Sequence, residues 1–220
     1  RGVALAASHH EAVKLMRNKW ALHKYFRGSG LRTIPTYQRD EYLDACNTFP
    51  CIAKKAEGRS SEGMFVIKRP SDLRRLEFEG GDYIFQPFVS GPVLVADVLK
   101  SGNESPIIVA RRELTRTKNG AGIAVQILDT DANLSRSIEH LCNAIDFEGC
   151  INIEFISPRS GDPILMDINP RFSAGVAFSA LAGYDFVRNH VQHFLKMPVE
   201  PLGKVAYNAV FTRKYLEVVA

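Results

Sequence analysis

Residues 154–171 read EFISPRSGDPILMDINPR, and this stretch decides the fold. Apolar runs lie on both sides of a polar, Gly- and Pro-containing turn, which predicts two strands at 150–156 and 164–168 joined as a hairpin. Antiparallel pairing across a tight turn sets Glu154 and Asp167 side by side. The sequence therefore predicts two neighbouring carboxylates on one sheet face.

Asn169 and Arg171 extend this face, because side chains two residues apart on a strand point the same way. Clustered like charges are costly unless a cation joins them. Carboxylate and amide oxygens suit Mg²⁺ or Mn²⁺, and an arginine on the same face is placed to reach a phosphate or carboxylate. The alternative is an exposed hairpin face with ordinary charges, and the spacing alone does not decide between the two.

A second hairpin is predicted at 49–68, with strands at 49–55 and 64–68 around a loop rich in Gly and Ser. Lys54 shares a strand face with Ile52, so a buried Lys54 needs an anionic partner. The loop exposes backbone N–H groups, which suit phosphate oxygens. A solvated hairpin tip with a surface lysine is the alternative.

Two weaker signals lie between these hairpins. The strand predicted at 83–89 contains Pro87, which removes a ladder hydrogen bond and can mark a change of partner strand. A simple edge strand is an equally good interpretation. The basic run formed by Arg111, Arg112, Arg116 and Lys118 suits a polyphosphate or an acidic substrate, but a solvated strand end is the alternative, and for Arg116 it is the favoured one.

The remaining elements follow from apolar periodicity and from Gly and Pro positions. Ser8 and Glu11 form a capping-box pattern before a helix at 9–26, which Gly28 and Gly30 end. Further helices are predicted at 40–47, from 71 or 72 to about 80, at 134–144, and at 173–196 with a division at Gly183; further strands are predicted at 92–99, 106–114 and 205–212. Strands and helices do not alternate regularly, so the predicted class is α+β.

Composition excludes several classes of protein. A hydrophobic content of 45% with 24% charged residues is typical of a globular chain, not a disordered one. The net charge of +4 is spread along the sequence, which argues against a nucleic-acid partner. No apolar run approaches the roughly 20 residues of a membrane helix. The four cysteines lack CxxC spacing, which favours free thiols and a cytoplasmic location.

These motifs, in this order, resemble the ATP-grasp superfamily over about residues 18–197, and most closely its carbamoyl-phosphate-synthase-like branch of carboxylate–amine ligases. The resemblance implies two α+β lobes with the nucleotide between them. We expect an N-terminal lobe at 1–85 with a phosphate-covering loop and a C-terminal lobe at 86–220 with a metal site. The N-terminal α/β domain that usually precedes these lobes is expected to be absent.

The resemblance also implies the phosphate contacts. Asn18-Lys19 is similar to a family motif in which Asp is usual before the lysine, so Lys19 is expected to bind phosphate. Lys54 matches the second phosphate-binding lysine, although Lys55 stands where Pro is usual. The loop that closes over the phosphates corresponds to 58–63, with Gly58, Ser60, Ser61 and Gly63 as its expected nucleotide-binding residues.

The adenine and ribose contacts are expected from the family's hinge motif, which here runs from 86 to 93. Gln86, Pro87, Phe88 and Val89 are the expected contacts to the base. Val93 stands where the family has an acidic residue that binds the ribose, and valine has no hydrogen-bonding group to replace it.

The metal motif of the family corresponds to Glu154, Asp167 and Asn169 as ligands, with Asp167 one methylene shorter than the usual Glu. Arg171 is expected as a catalytic residue that stabilises the transferred group. The strand at 111–116 is similar to the family's substrate-side strand, and there Arg112 is the second expected catalytic residue.

The function implied is ATP- and Mg²⁺- (or Mn²⁺-) dependent activation of a carboxylate as an acyl phosphate, which an amine then attacks. The expected partners are ATP, a small carboxylate and an amine; a homodimer is left open, and neither nucleic acid nor membrane is expected. The alternatives are a non-catalytic ATP-binding module and a scaffold. The first predicts ATP binding without ADP release, and the second predicts no Mg·ATP-dependent stabilisation.

Overall fold

A computed structural model describes residues 5–58, 63–76, 82–118, 120–159 and 161–214. The helices are α1 (His10–Arg17), α2 (Lys19–Phe26), α3 (Arg39–Ala45), α4 (Ala132–Ala144), α5 (Val176–Ala182) and α6 (Phe186–Phe194), with a 3₁₀ helix at Pro70–Leu76. The strands are β1 (Cys51–Lys55), β2 (Phe65–Ile67), β3 (Tyr83–Pro87), β4 (Val93–Lys100), β5 (Ile107–Arg116), β6 (Gly122–Leu128), β7 (Gly149–Ile156), β8 (Ile164–Asn169) and β9 (Val210–Thr212).

These strands form two antiparallel sheets. The smaller has the order β2-β1-β3 and the larger has the order β8-β7-β4-β5-β6-β9. Both predicted hairpins, β1–β2 and β7–β8, are present. The α+β class predicted from the sequence is confirmed.

Strand β4 shows how the larger sheet is covered on both faces, since its six central residues are buried. Leu94, Ala96 and Val98 belong to a core shared with α1, α2 and α4. Leu99 belongs to a second core with residues of α5 and α6 and the segment around Val205. Because neighbouring residues of a strand point to opposite faces, the two cores lie on opposite sides of this sheet.

The smaller sheet packs its own core with α3, centred on Tyr42 and Phe85. The boundary predicted after residue 85 falls inside β3, two residues before the end of that strand, and the chain passes from the smaller to the larger sheet between β3 and β4. The prediction also assigned α1 and α2 to the first lobe, but their buried side chains contribute to the core of the larger sheet. These two helices therefore pack on the larger sheet.

The predicted helix at 9–26 is wrong in one respect, because it is two helices separated at Asn18. Asn18 has an extended backbone (φ −105°, ψ 106°), and its side-chain oxygen accepts from the N–H of Ala21 at 2.9 Å. Its Nδ2 donates to Glu57 at 3.0 Å, and the N–H of Lys19 donates to the carbonyl of Ala56 at 2.9 Å. The break fastens the start of α2 to the end of β1.

Three other elements differ from the predictions. The segment 122–128 is strand β6, which the sequence analysis missed. The predicted strand at 205–212 is reduced to Val210–Thr212, because Asn208 adopts a left-handed turn (φ 63°) before it. The helix predicted after 71 is a 3₁₀ helix.

The four cysteines are free thiols, as predicted, and Cys51, Cys142 and Cys150 are buried. Among the described residues, no helix is both long enough and apolar enough to cross a membrane.

Asn18→Ala tests the break between α1 and α2. The variant removes the cap of α2 and the hydrogen bond to Glu57, so we expect the free energy of unfolding to fall by about 1 kcal/mol in urea denaturation. Asn103→Ala, at an exposed turn position, is the matched control and should change it by less than about 0.5 kcal/mol. Equal losses in both variants would contradict the capping role.

Candidate active site

The pairing of β7 with β8 builds the centre of the site. Glu154 lies opposite Asp167, and Asn152 lies opposite Asn169. A register shift after Glu154 leaves Met166 as an extra residue, so that both Met166 and Asp167 line the adjoining cavity. The adjacency of the two carboxylates predicted from the sequence is confirmed.

Each of these carboxylates is held by a cation from a different element. Lys19 Nζ at the start of α2 lies 3.4 Å from Asp167 Oδ2, and Arg116 Nη2 at the end of β5 lies 3.0 Å from Glu154 Oε2. All four side chains are partly buried. The two carboxylates can therefore lie side by side, since each is neutralised by a cation from a different element.

Lys54 of β1 is a third cation and is largely buried. Burial lowers its pKa to about 8, although the negative charge of Asp167 acts in the opposite direction. Burial likewise raises the pKa of Glu154, against the opposing effect of the Arg116 charge. The neighbouring carboxylates therefore do not fully compensate the cost of burying the positive charge of Lys54.

These groups face a cavity of about 330 Å³ that residues of both sheets line. Lys54 and Lys55 come from the smaller sheet, and most of the other residues come from the larger one. The lining residues are Lys19, Lys54, Lys55, Gly58, Met64, Val95, Arg111, Glu113, Arg116, Gly120, Ala121, Gly122, Asn152, Glu154, Met166, Asp167, Asn169, Arg171, Ser173, Ala174 and Gly175.

Arg111 forms a wall of this cavity and is almost completely buried. Its guanidinium donates to Asp97 at 2.7 Å, to Ser173 at 2.9 Å and to Glu113 at 3.3 Å. A Cβ atom at Gly175 would lie 2.8 Å from Arg111 Nη2, so this position has no room for a side chain. Arg111 is therefore fixed in a single orientation by neighbouring elements.

The expected catalytic residue Arg112 is not in the cavity. It follows Arg111 on β5, so its side chain points to the opposite face, where it is exposed. Arg116, which the sequence analysis favoured as a solvated residue, does line the cavity. Two register shifts between Glu113 and Arg116 change the alternation of β5, and no sequence signal indicates them.

Arg171 is exposed and lines the cavity beside Asn169. Its Nη2 donates to Asn169 Oδ1 at 3.4 Å, and its Nη1 donates to the carbonyl of Phe172 at 2.9 Å. The position agrees with the predicted face, because the chain turns directly after Asn169 and keeps Arg171 beside it.

The expected nucleotide-binding loop is described only at its ends. Gly58 lines the cavity, and Gly63 has a positive φ of 66° but does not line it. Ser60 and Ser61 lie outside the described residues.

The expected adenine contacts, Gln86, Pro87, Phe88 and Val89, do not line this cavity. Gln86 is buried and its Nε2 donates to Thr36 at 2.8 Å, while Phe88 is half exposed. The two expected phosphate-binding lysines and all three expected metal ligands thus line the cavity, whereas the expected adenine contacts do not.

The chemistry of the donor set fits a divalent cation. Glu154 and Asp167 supply carboxylate oxygens, and Asn169, opposite Asn152, adds an amide oxygen on the same face. Mg²⁺ is usually bound by one or two carboxylates together with substrate phosphates, not by an all-protein cage. The described part of the chain contains no cluster of three or more His, Cys, Asp or Glu side chains that could hold a metal.

The sequence and fold are similar to those of known proteins. The profile of a family described as ATP-grasp in the biosynthetic pathway with Ter operon matches residues 80–218. A search of curated proteins found no match.

Many solved structures share the fold at low sequence identity. A biotin carboxylase–βγ-ATP complex from Campylobacter jejuni superposes with a TM-score of 0.80 at 17% identity, covering 94% of this chain and 52% of that one. N5-carboxyaminoimidazole synthetase from Staphylococcus aureus, complexed with ADP, superposes with a TM-score of 0.78 at 16% identity, covering 93% of this chain and 58% of that one. The biotin carboxylase domain dimer of the Hydrogenobacter thermophilus 2-oxoglutarate carboxylase, with MgADP, superposes with a TM-score of 0.79 at 16% identity, covering 95% of this chain and 52% of that one. The chain spans about half the length of the structures it matches.

Lys54→Met tests the buried ammonium at this site. The pKa of Lys54 falls from 10.5 to about 8 on folding, so the unfolded chain binds more protons between these values and the parent gains stability as pH rises through that window. At pH 7 the methionine variant should be more stable by about 1–3 kcal/mol, and this difference should shrink towards pH 9.5.

Urea denaturation at both pH values measures this difference. Lys68→Met, at an exposed position, is the control and should show no such pH dependence. A Lys54→Met variant less stable than the parent at pH 7 would contradict the uncompensated charge.

Proposed function

We propose that this protein, which belongs to the family described as ATP-grasp in the biosynthetic pathway with Ter operon, binds Mg·ATP in this cavity and activates a carboxylate. The observation that carries the proposal is the paired carboxylates Glu154 and Asp167, each held by a cation, beside the uncompensated Lys54. A divalent metal would bind the two carboxylates, and an anionic polyphosphate would neutralise the ammonium of Lys54.

A bound phosphate would stabilise the charged form of Lys54, which burial disfavours. A buried ammonium favours a nearby anion, and Lys19 enters the same cavity from the start of α2. Phosphate oxygens between these two lysines would neutralise both of them, and Gly58 at the cavity edge offers the close backbone approach that phosphates require.

Glu154, Asp167 and Asn169 would hold Mg²⁺, which would neutralise phosphate charge and orient the γ-phosphate. The remaining contribution of the chain is positioning, which dominates catalysis of phosphoryl transfer. Arg171 lies at the cavity edge, next to the proposed metal face, where it can stabilise the transferred group.

The chemical step is a phosphoryl transfer to a carboxylate. A carboxylate oxygen of the substrate forms a bond to the γ-phosphorus, and the bond from that phosphorus to the β–γ bridging oxygen breaks, so ADP leaves. An amine then attacks the acyl carbon of the acyl phosphate, loses a proton and expels orthophosphate. Binding of ADP, βγ-ATP and MgADP by structures with the same fold supports this choice of nucleotide.

A small carboxylate and an amine are accordingly the proposed partners, and the cytoplasm, where ATP is supplied, is the proposed location. A homodimer is proposed only by analogy with the dimeric domain of the same fold. The phosphate-covering loop at 58–63 and the two-lobe division also remain part of this proposal.

One observation favours a second candidate, a nucleotide-binding module without catalysis. The four expected adenine contacts lie outside the cavity, and Val93 has no group for a ribose hydroxyl. Such a module would bind Mg·ATP through its phosphates but would release no ADP.

Thermal unfolding with Mg²⁺ and a non-hydrolysable ATP analogue tests the proposal. At about 100 times the dissociation constant, the analogue should stabilise the parent by about 2.7 kcal/mol. Asp167→Ala should lose most of this gain, because it removes both a proposed metal ligand and the partner of Lys19. Asp162→Ala, in the exposed turn of the same hairpin, is the matched control and should keep it.

ADP release then separates the two candidates. With a panel of carboxylates and hydroxylamine as the nucleophile, an active ligase should form ADP and a hydroxamate in equal amounts. Stabilisation without ADP from any carboxylate would favour the non-catalytic module, and the absence of stabilisation in the parent would leave only a scaffold.

A further inference from the structure

Arg116 links the proposed metal site to the turn between β5 and β6. Its Nη2 lies 3.0 Å from Glu154 Oε2, and its Nε donates to the carbonyl of Gly120 at 2.9 Å. Both charged side chains are partly buried and line the cavity. The Arg116 guanidinium therefore makes two contacts, and one of them is with a Glu154 oxygen that is proposed to bind the metal.

In the turn that follows Arg116, the described residues on either side of residue 119 are hydrogen-bonded to one another. Thr117 and Ala121 are joined by a backbone hydrogen bond of 2.8 Å, and the hydroxyl of Thr117 accepts from the N–H of Ala121 at 3.1 Å. Gly120 has a φ of 82°, a conformation that favours glycine. The hydrogen bond to Gly120 therefore holds Arg116 Nε at the turn, whereas the contact of Nη2 with Glu154 is the one that a competing cation could replace.

Glu154 lies opposite Asp167 in the β7–β8 pairing, and its side chain is partly buried. Two neighbouring carboxylates of this kind are costly unless a cation joins them. A divalent cation on the same carboxylate would lie within a few ångströms of the guanidinium, where two positive charges repel. Arg116 and a metal are therefore alternative partners of Glu154.

We propose that Arg116 is a positioning residue that occupies Glu154 in the nucleotide-free protein and gives it up when a divalent cation binds with the nucleotide. The inference rests on the proposed function, and it adds a residue that sets the metal concentration at which the nucleotide site forms. Part of the metal's binding free energy is used to displace the guanidinium.

This role predicts a gain of affinity on mutation. Without Arg116 the metal meets no competitor at Glu154, so Arg116→Gln should lower the metal concentration required for nucleotide binding. Damage to the site would raise that concentration, so a simple structural role predicts the opposite sign.

The experiment measures stabilisation by a fixed, saturating concentration of a non-hydrolysable ATP analogue while the Mn²⁺ concentration is raised. The analogue's own affinity for Mn²⁺ is the same in every sample, so differences in midpoint belong to the protein. Arg116→Gln and Arg116→Met are compared with the parent. Arg136→Gln, exposed on α4, is the charge-matched control.

We expect the midpoint in Mn²⁺ to fall about fivefold in both Arg116 variants, the size expected for loss of one partly exposed ion pair, and to stay unchanged in Arg136→Gln. Agreement between the two variants excludes an effect of the introduced side chain, and either one decides the question if the other fails to fold. Midpoints equal to or above that of the parent in the folded variants would overturn the inference while leaving the proposed function intact. A parent that shows no metal-dependent binding would overturn both.

Discussion

The structure depends on the repulsion between two carboxylates that the β7–β8 pairing forces together. Glu154 and Asp167 occupy paired positions, so the chain must bring positive charge to them from elsewhere. Lys19 arrives because α2 begins at the break after α1, and Arg116 arrives because register shifts turn the end of β5. Lys54 completes the group from the other sheet. The cavity between the sheets therefore contains two paired carboxylates together with Lys54, whose positive charge is not fully compensated.

A second ionic group keeps the cavity wall in place. Arg111 and Asp97 are both buried in the larger sheet, and Ser179 of α5 also donates to Asp97 at 2.7 Å. Removing one partner of such a pair is typically costly, about 3–5 kcal/mol, because the other charge is left uncompensated in the interior. The network links β4, β5 and α5.

Local patterns in the sequence predicted the hairpin at 150–168 and the shared face of Asp167 and Asn169, because strand alternation is a short-range rule. The same rule accounts for Arg112, which follows the buried Arg111 and points to the opposite face, but it failed at Arg116, where register shifts in the pairing with β6 change the alternation. It did not find β6, which forms a hairpin with β5 and on its other side pairs with β9, about eighty residues away in the chain. The break at Asn18 likewise depends on Glu57, a distant partner that no local pattern indicates.

The central claim is that a divalent cation binds between Glu154 and Asp167 together with the phosphates of a nucleotide. Crystals grown with Mn²⁺ and a non-hydrolysable ATP analogue, measured for anomalous scattering, test it most directly. The account predicts an anomalous peak within bonding distance, about 2.0–2.3 Å, of oxygens from both carboxylates, with the phosphates directed towards Lys54. A nucleotide bound outside this cavity, or a bound nucleotide with no manganese at the two carboxylates, would contradict the account.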